Sequence, residues 1–213
     1  MTQTLPAWLH PLVDSLDGMT FADLSRYGPP EDGSGRASAV LMALADTVDG
    51  PGVVLLERAA TLRTHPGQVA FPGGAADPGE DPATTALREA HEEVGLNAAS
   101  VQVIATLPAL YLPPSGFVVT PVLAWWREPH PLRAMAASEV AGVAVIPVRE
   151  LADPANRFRV RHPSGFRGPG FEAGGMFIWG FTAGLLDGLL VHGGWARDWD
   201  ETVMRDLPTH RVP

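Results

Sequence analysis

Three glutamates, Glu89, Glu92 and Glu93, lie within five residues of one another in the stretch 74–96. At about 100° per residue they would share one face of a helix. Like charges three and four residues apart destabilise a helix by about a few tenths of a kcal/mol per pair. A divalent cation such as Mg²⁺ would turn the same carboxylates into a binding site, because hard cations prefer oxygen ligands. An isolated acidic helix face is more often only solvated, so the surrounding pattern decides between the two interpretations.

The residues around these glutamates predict a helix with defined ends. Asp81 is a good N-cap, Pro82 suits the first helical position, and Gly95 suits the left-handed residue that ends a helix. The small and aliphatic residues that share the opposite face are Ala83, Ala86, Leu87, Ala90 and Val94. This apolar stripe should pack on a core and leave the carboxylates pointing in one direction.

The spacing of fixed residues in this stretch matches a longer pattern. Gly74, Glu80 and the run from Arg88 to Leu96 fit G-x5-E-x7-R-E-U-x-E-E-x-G-U at every fixed position, with Ala90 where the pattern prefers a bulkier aliphatic residue. The chain therefore resembles the Nudix hydrolases. The resemblance implies an α/β fold, the Nudix-type α/β/α sandwich with a mixed β-sheet. Short predicted strands around one or two helices agree with that architecture.

The resemblance also implies roles for the residues of the pattern. Glu92 and Glu93 would be the principal ligands of Mg²⁺ or Mn²⁺, with Glu89 as a further ligand or as the base. The carbonyl of Gly74 would reach the metal, and Arg88 would orient a glutamate through a salt bridge.

Two further glutamates have open roles. Glu80 is expected to be structural, closing the loop before the helix. The matched pattern from Gly74 to Leu96 is called the Nudix box, or the box, below. The general base of a Nudix enzyme can lie outside it, so Glu139 is an alternative candidate to the box glutamates. An exposed loop glutamate is, however, the commoner interpretation of Glu139.

A second stretch, LLERAATLRTHPGQVAFPGG at residues 55–74, resembles the signature of the coenzyme A pyrophosphatase branch. Leu56 departs from it, since that branch commonly has threonine there. Residues 112–121 and 178–183 also resemble this branch, so the resemblance covers roughly 37–190. The residues expected to bind substrate are Arg58, Arg63, His65, Gln68 and Ser115.

The two arginines of this stretch have a physical reason to bind phosphate. Arg58 and Arg63 present planar forks of donors that match phosphate oxygens, and coenzyme A carries a 3′-phosphate besides its diphosphate. The alternative is that one or both pair with local acids such as Glu57. His65 could donate to a phosphate or stabilise the loop, and Gln68 could simply bond to backbone.

The implied activity is metal-dependent hydrolysis of coenzyme A, or of its derivatives, to 3′,5′-ADP and 4′-phosphopantetheine. One alternative is another nucleoside diphosphate derivative, such as ADP-ribose or a nucleotide sugar, or a nucleoside triphosphate. A non-catalytic nucleotide sensor is a third interpretation. A sensor would be expected to have a damaged box, and this one is intact.

Composition narrows the class of protein. The chain has 213 residues, 46% of them hydrophobic and 18% charged, which is typical of a folded protein. It contains no cysteine, no apolar run of about 18–20 residues and no secretion signal at its start. The formal net charge is −9 without a basic run, which argues against nucleic-acid binding. We therefore expect a cytoplasmic protein that binds neither membrane nor nucleic acid. A homodimer is a possible assembly, since dimers are the commonest oligomers.

The expected organisation is an N-terminal helix and linker (1–36), a Nudix domain (37–191) and a polar C-terminal tail (192–213). The N-terminal helix would span 5–17 with an interrupting proline. Besides the glutamate helix, the pattern predicts a late helix at 180–190. The predicted strands are 39–44, 53–57, 69–71, 101–107, 117–126, 140–147, 158–160 and 176–178.

Overall fold

Two β-sheets and four α-helices form the part of the chain that the computed structural model describes, residues 4–113 and 115–207. The helices are α1 (His10–Asp14), α2 (Pro82–Val94), α3 (Val148–Leu151) and α4 (Gly180–His192). The strands are β1 (Arg36–Thr47), β2 (Gly50–Arg58), β3 (Val69–Ala70), β4 (Gly73–Ala75), β5 (Val101–Thr106), β6 (Leu110–Leu112), β7 (Phe117–Trp126), β8 (Val140–Pro147), β9 (Arg157–Arg161), β10 (Arg167–Ala173), β11 (Met176–Ile178) and β12 (Met204–Asp206).

The larger sheet is mixed. Its strands follow the order β3-β2-β1-β7-β5, while β4 pairs with β1, β6 with β7 and β8 with β2. Strands β1 and β7 run parallel from the pair Arg36–Phe117 to the pair Ala45–Trp126, and the other pairings in this sheet are antiparallel. The long central strand β1 therefore carries β4, which leads into α2, along its first half.

Helices cover both faces of this sheet. Successive side chains of β1 alternate between the faces, because the side-chain period of a strand is two. Leu41 packs in the cluster that contains the apolar stripe of α2, and Met42 packs in the cluster that contains α1 and α4. The predicted α/β/α sandwich with a mixed sheet is confirmed. No helix in the described ranges is long and apolar enough to cross a bilayer.

The N-terminal segment differs in detail from the expectation. A 3-10 turn at Ala7–Leu9 leads into α1, and Pro11 lies in the first turn of that helix, where its missing N–H costs nothing. The proline therefore starts the helix and does not interrupt it. Leu9 and Leu12 are buried in the core cluster with α4, so this segment covers part of the sheet.

Strands β9, β10, β11 and β12 form a second sheet that the sequence pattern only partly predicted. Strand β10 was missed because it contains Gly168 and Gly170, which lower strand propensity. A Cβ at Gly170 would lie 2.5 Å from the Phe158 ring, so the neighbouring strand requires glycine there. Strand β12 lies in the segment expected to be a tail, and it pairs in parallel with β9. The division into 1–36, 37–191 and 192–213 remains a prediction.

Candidate active site

Helix α2 begins and ends where the sequence predicts. The side chain of Asp81 accepts a hydrogen bond from the Thr84 backbone N–H at 2.9 Å, and Gly95 has a left-handed φ of 71°. The buried residues Ala86, Ala90 and Val94 fix the rotation of the helix against β1. That rotation sets the direction in which the three glutamates project.

Arg88 connects the acidic residues of the site. Its Nη1 donates to Glu89 Oε1 at 2.9 Å and to Glu92 Oε2 at 3.2 Å. Its Nε donates to Glu80 Oε1 at 2.8 Å, and its Nη2 donates to the Ala75 carbonyl at 3.0 Å. The hydrogen bonds that Arg88 donates to Glu80 raise the pKa of Arg88 above its ordinary range. The Arg88 guanidinium thus links the segment before the helix to the half-buried Glu89 and the exposed Glu92.

Glu80 has the contacts of a structural residue. Besides Arg88, its Oε2 accepts hydrogen bonds from the Asp77 backbone N–H and from Thr85 Oγ1, both at 3.0 Å. These donors, the Arg88 side chain first, lower the pKa of Glu80 to about 2. The buried hydroxyl of Thr85 is the partner that the box pattern does not mark. The sequence signal that could have identified Thr85 as a partner of Glu80 is its position five residues later, in the first turn of the helix.

The contacts of Glu80 predict a pH-dependent stability. Because its folded-state pKa lies below the ordinary 4.5, they stabilise the protein fully above about pH 4.5, and the stabilisation is lost as the pH falls towards about 2. We therefore expect Glu80→Gln to lower the melting temperature at pH 7, and the gap from wild type to narrow below pH 4.5. Thermal melts from pH 7 to pH 3 measure this, with the exposed Glu31→Gln as the control. A gap that stays constant with pH would contradict the assignment.

Glu93 is the most buried of the three helix glutamates. Its side-chain Oε2 accepts a hydrogen bond from the Gly73 backbone N–H at 2.9 Å. Burial raises the pKa of Glu93 to about 7, with smaller contributions from Glu89 and Glu139 that raise it and from Arg58 that lowers it. A carboxylate in such a position gains most from a cation, because burial penalises its charged form.

Gly74 provides space for Glu89. A Cβ at Gly74 would lie 2.4 Å from Glu89 Cδ and 2.5–2.6 Å from its two oxygens. Burial raises the pKa of Glu89 above its ordinary value, while the ion pair with Arg88 opposes that rise. The glycine of the box is therefore required for a close approach between backbone and carboxylate, independently of its φ.

The donor set fits a hard divalent cation. Three carboxylates and the backbone of Gly74 supply only oxygen atoms, which Mg²⁺ and Mn²⁺ prefer. In the described ranges no group of three His, Asp or Glu side chains is arranged to hold a metal ion. Arg88 binds Glu89 and Glu92, and the Gly73 N–H binds Glu93. The residues to hold a cation are present, but their side chains must turn towards it.

The loop between β2 and β3 brings Arg58 and Gln68 to the same region. The Arg58 backbone N–H donates to the Gln68 carbonyl at 2.9 Å, and Arg58 is close enough to lower the pKa of Glu93. Arg58 Nε and Gln68 Nε2 are buried donor atoms without a hydrogen-bond partner. Buried donors normally have acceptors. A ligand with acceptor oxygens would satisfy both.

The remaining residues of this loop are more exposed. His65 has a left-handed φ of 56°, and its Nδ1 lies 3.1 Å from Gln68 Oε1. These contacts favour a role in shaping the loop. The Arg63 side chain is exposed, and within the described residues it has no ion pair.

Ser115 lies in the turn before β7, and Glu139 lies beside the helix glutamates. Ser115 Oγ donates to the Leu112 carbonyl at 3.2 Å, as a turn residue between β6 and β7 would. Glu139 is exposed, and its charge raises the pKa values of both Glu89 and Glu93. Its carbonyl accepts from the Ala59 backbone N–H at 2.8 Å, which ties it to the end of β2. The structure thus places Glu139 near the helix glutamates.

Comparisons with known proteins agree with this geometry. The NUDIX domain model matches residues 35–164. "Nudix hydrolase 3" of Caenorhabditis elegans is 42% identical over 122 residues. The aligned residues are 56% of this chain and 50% of that protein, so the chain spans about half the length of this relative. "Uncharacterized Nudix hydrolase NudL" of Enterobacter sp. (strain 638) is 38% identical over 168 residues, which cover 75% of this chain and 83% of that protein.

A solved structure shows the same fold. The Nudix hydrolase RenU from M. smegmatis superposes with a TM-score of 0.55 at 21% identity, covering 82% of this chain and 98% of that one. The domain model covers more than half of the chain, and the Enterobacter protein aligns with three quarters of it. The chain therefore belongs to the Nudix hydrolase family.

Proposed function

We propose that the protein hydrolyses the diphosphate of coenzyme A, or of a coenzyme A derivative, to 3′,5′-ADP and 4′-phosphopantetheine. Nudix hydrolases act on small-molecule substrates and generally use divalent ions such as Mg²⁺ or Mn²⁺. The choice of coenzyme A rests on the stretch 55–74, which resembles the coenzyme A pyrophosphatase signature. A coenzyme A substrate would be met in the cytoplasm.

The observation that carries this proposal is the pair of unsatisfied donors beside the glutamate helix. Arg58 Nε and Gln68 Nε2 are buried without partners, and Arg58 acts electrostatically on Glu93. Arg63 adds an exposed guanidinium on the same loop without an acidic partner in the described ranges. A substrate with three phosphate groups needs more cationic partners than one with two. Arg58 is such a partner beside the carboxylates, and Arg63 is a second cation on the same loop.

The chemistry divides between the helix and its neighbours. Glu89, Glu92, Glu93 and the Gly74 carbonyl would hold Mg²⁺ or Mn²⁺. The ion would supply positive charge for the leaving phosphate and would acidify or orient the water. Arg88 keeps Glu89 and Glu92 in position through its ion pairs.

The proton of the attacking water goes to a carboxylate. Glu89 and Glu139 are the two candidates, since Glu89 is half-buried beside Gly74 and Glu139 faces the same carboxylates. We therefore compare Glu89→Gln with Glu139→Gln in activity and in metal affinity. The variant that loses activity but binds metal normally identifies the base, because loss of a ligand would also weaken metal binding.

A product assay tests the proposed function. Purified protein with Mg²⁺ or Mn²⁺ is incubated with coenzyme A, dephospho-coenzyme A, ADP-ribose, a nucleotide sugar and nucleoside triphosphates, and the products are resolved by chromatography. We expect 3′,5′-ADP from coenzyme A at the highest kcat/KM. Faster turnover of another diphosphate would retain the Nudix activity and reject coenzyme A as the preferred substrate. No turnover of any substrate would favour a nucleotide sensor.

Arg63→Ala should lower kcat/KM for coenzyme A more than it lowers kcat/KM for ADP-ribose. A charge-assisted hydrogen bond to a phosphate contributes about 1.5–3 kcal/mol, so we expect kcat/KM for coenzyme A to fall by about tenfold or more. ADP-ribose lacks the 3′-phosphate, so kcat/KM for ADP-ribose should change by less than about threefold. Steady-state kinetics on both substrates measure the difference, with the exposed Arg197→Ala as a matched control. Equal losses on the two substrates would remove Arg63 from recognition of the 3′-phosphate.

A further inference from the structure

An arginine outside the box and outside the β2–β3 loop lies over an aromatic ring. The guanidinium carbon of Arg36 is 4.1 Å from the centroid of the Phe117 ring. Arg36 is exposed, and in the described ranges it has no acidic partner. Phe117 is half-buried beneath it. The guanidinium therefore lies over the ring, and because Arg36 is exposed its remaining surface and its donor groups are accessible to a ligand.

The backbone fixes this pair in place. Arg36 and Phe117 are direct partners at the start of the parallel pairing between β1 and β7. The Arg36 backbone N–H donates to the Gly116 carbonyl at 2.9 Å. A Cβ at the preceding Gly35, which has a φ of 116°, would lie 2.7 Å from the Val118 side chain. The close approach of the two strands therefore holds Arg36 beside Phe117 before any ligand binds.

The pair lies four residues along β1 from the strand position that adjoins Glu93. Val40, four residues after Arg36 on β1, is the strand partner of Gly73, whose N–H binds Glu93. At about 3.3 Å per residue the separation along the strand is about 13 Å. Arg36 also has the same parity on β1 as Val40 and Met42, which pack with the α4 side of the sheet. Because Arg36 lies on the face of the sheet opposite α2, a substrate that contacts both places would pass the start of β1 on its way from the carboxylates to this pair.

We propose that Arg36 and Phe117 form the platform on which the nucleobase of the substrate stacks. Bases stack on aromatic rings and on arginine guanidinium planes, and a guanidinium held by a ring presents its plane in a fixed orientation. The diphosphate would then lie at α2 while the base lies at the start of β1 and β7. This inference rests on the proposed function, since it assumes a nucleoside diphosphate substrate, but it concerns the base and not the group X.

Binding of AMP and ribose 5-phosphate, measured by calorimetry, tests the platform without turnover. The two probes share the phosphate and differ in the base. Phe117→Leu keeps apolar volume without the aromatic ring, and Arg36→Lys keeps the charge without the plane. We expect both variants to weaken the affinity for AMP by about tenfold and to leave the affinity for ribose 5-phosphate within about twofold of wild type. Arg205→Ala is the matched control, because Arg205 stacks on Phe158 at 4.3 Å in the second sheet.

The outcomes separate the two proposals. Equal losses for AMP and ribose 5-phosphate would show that Arg36 binds phosphate and would overturn the platform, as would unchanged AMP affinity in both variants. Wild-type protein that binds ribose 5-phosphate as tightly as AMP would also overturn it. Platform-dependent AMP binding in a protein that does not hydrolyse coenzyme A would reject the proposed activity alone. In an active enzyme, the variants should raise KM for coenzyme A and leave kcat within about twofold.

Discussion

Glu93→Gln is expected to lower kcat by at least about a hundredfold while the protein remains folded. The substitution removes an anionic metal ligand, and loss even of the groups that support a ligand typically costs about 10–100-fold. Glutamine keeps an oxygen that can accept the Gly73 N–H. Because burial raises the pKa of Glu93 from 4.5 to about 7, charging it lowers stability progressively from about pH 4.5 to about pH 7 and fully above that, and removing the charge relieves the cost. Activity should fall while the melting temperature at pH 8 stays equal or rises.

Kinetics at saturating Mg²⁺ and thermal melts at pH 8 measure the two effects together. Glu92→Gln should also lose most of its turnover, but without a gain in stability, since Glu92 is largely exposed. The exposed Glu128→Gln is the control for removing one negative charge. Near-wild-type rates for both Glu92→Gln and Glu93→Gln would reject the metal assignment. A large fall in the melting temperature of Glu93→Gln would instead indicate a structural carboxylate.

Local sequence signals were sufficient to predict the helix that carries these carboxylates. Asp81, Pro82 and Gly95 each have a conformational preference that acts within a few residues, and the apolar stripe has the period of a helix. The mixed sheet could likewise be predicted, since its long strands β1 and β7 are nearly continuous apolar runs. These features need no knowledge of distant contacts.

Contacts between residues far apart in the sequence could not be predicted in the same way. The orphaned donors of Arg58 and Gln68 become visible only when β2 and β3 pair. The Arg36–Phe117 pair joins residues 81 positions apart, because β1 and β7 pair in parallel. Strand β12 forms by pairing with β9, and Arg161 binds Asp206 across that pair at 2.7 and 3.1 Å. Each depends on strand register, which composition does not specify.

Gly74→Ala is expected to impair catalysis by about a hundredfold with little loss of stability. The new Cβ would lie 2.4–2.6 Å from the Glu89 carboxylate, so that carboxylate must move. Moving the end of a flexible side chain costs little folding free energy, and Gly74 has no left-handed φ that alanine would strain. A displacement of about 1 Å at a reacting centre can cost about a hundredfold in rate. The apparent affinity for Mg²⁺ should also fall.

Gly184→Ala is the matched control, because a Cβ there meets nothing within 4 Å and its φ is not left-handed. Kinetics and Mg²⁺ titrations of both variants measure the effect. A double-mutant cycle with Glu89→Gln then locates its cause. If Gly74 acts only by making room for the Glu89 carboxylate, adding Gly74→Ala to Glu89→Gln should cost much less than adding it to wild type. Full additivity would mean that the Gly74 backbone itself, and not the position of Glu89, is what the reaction requires.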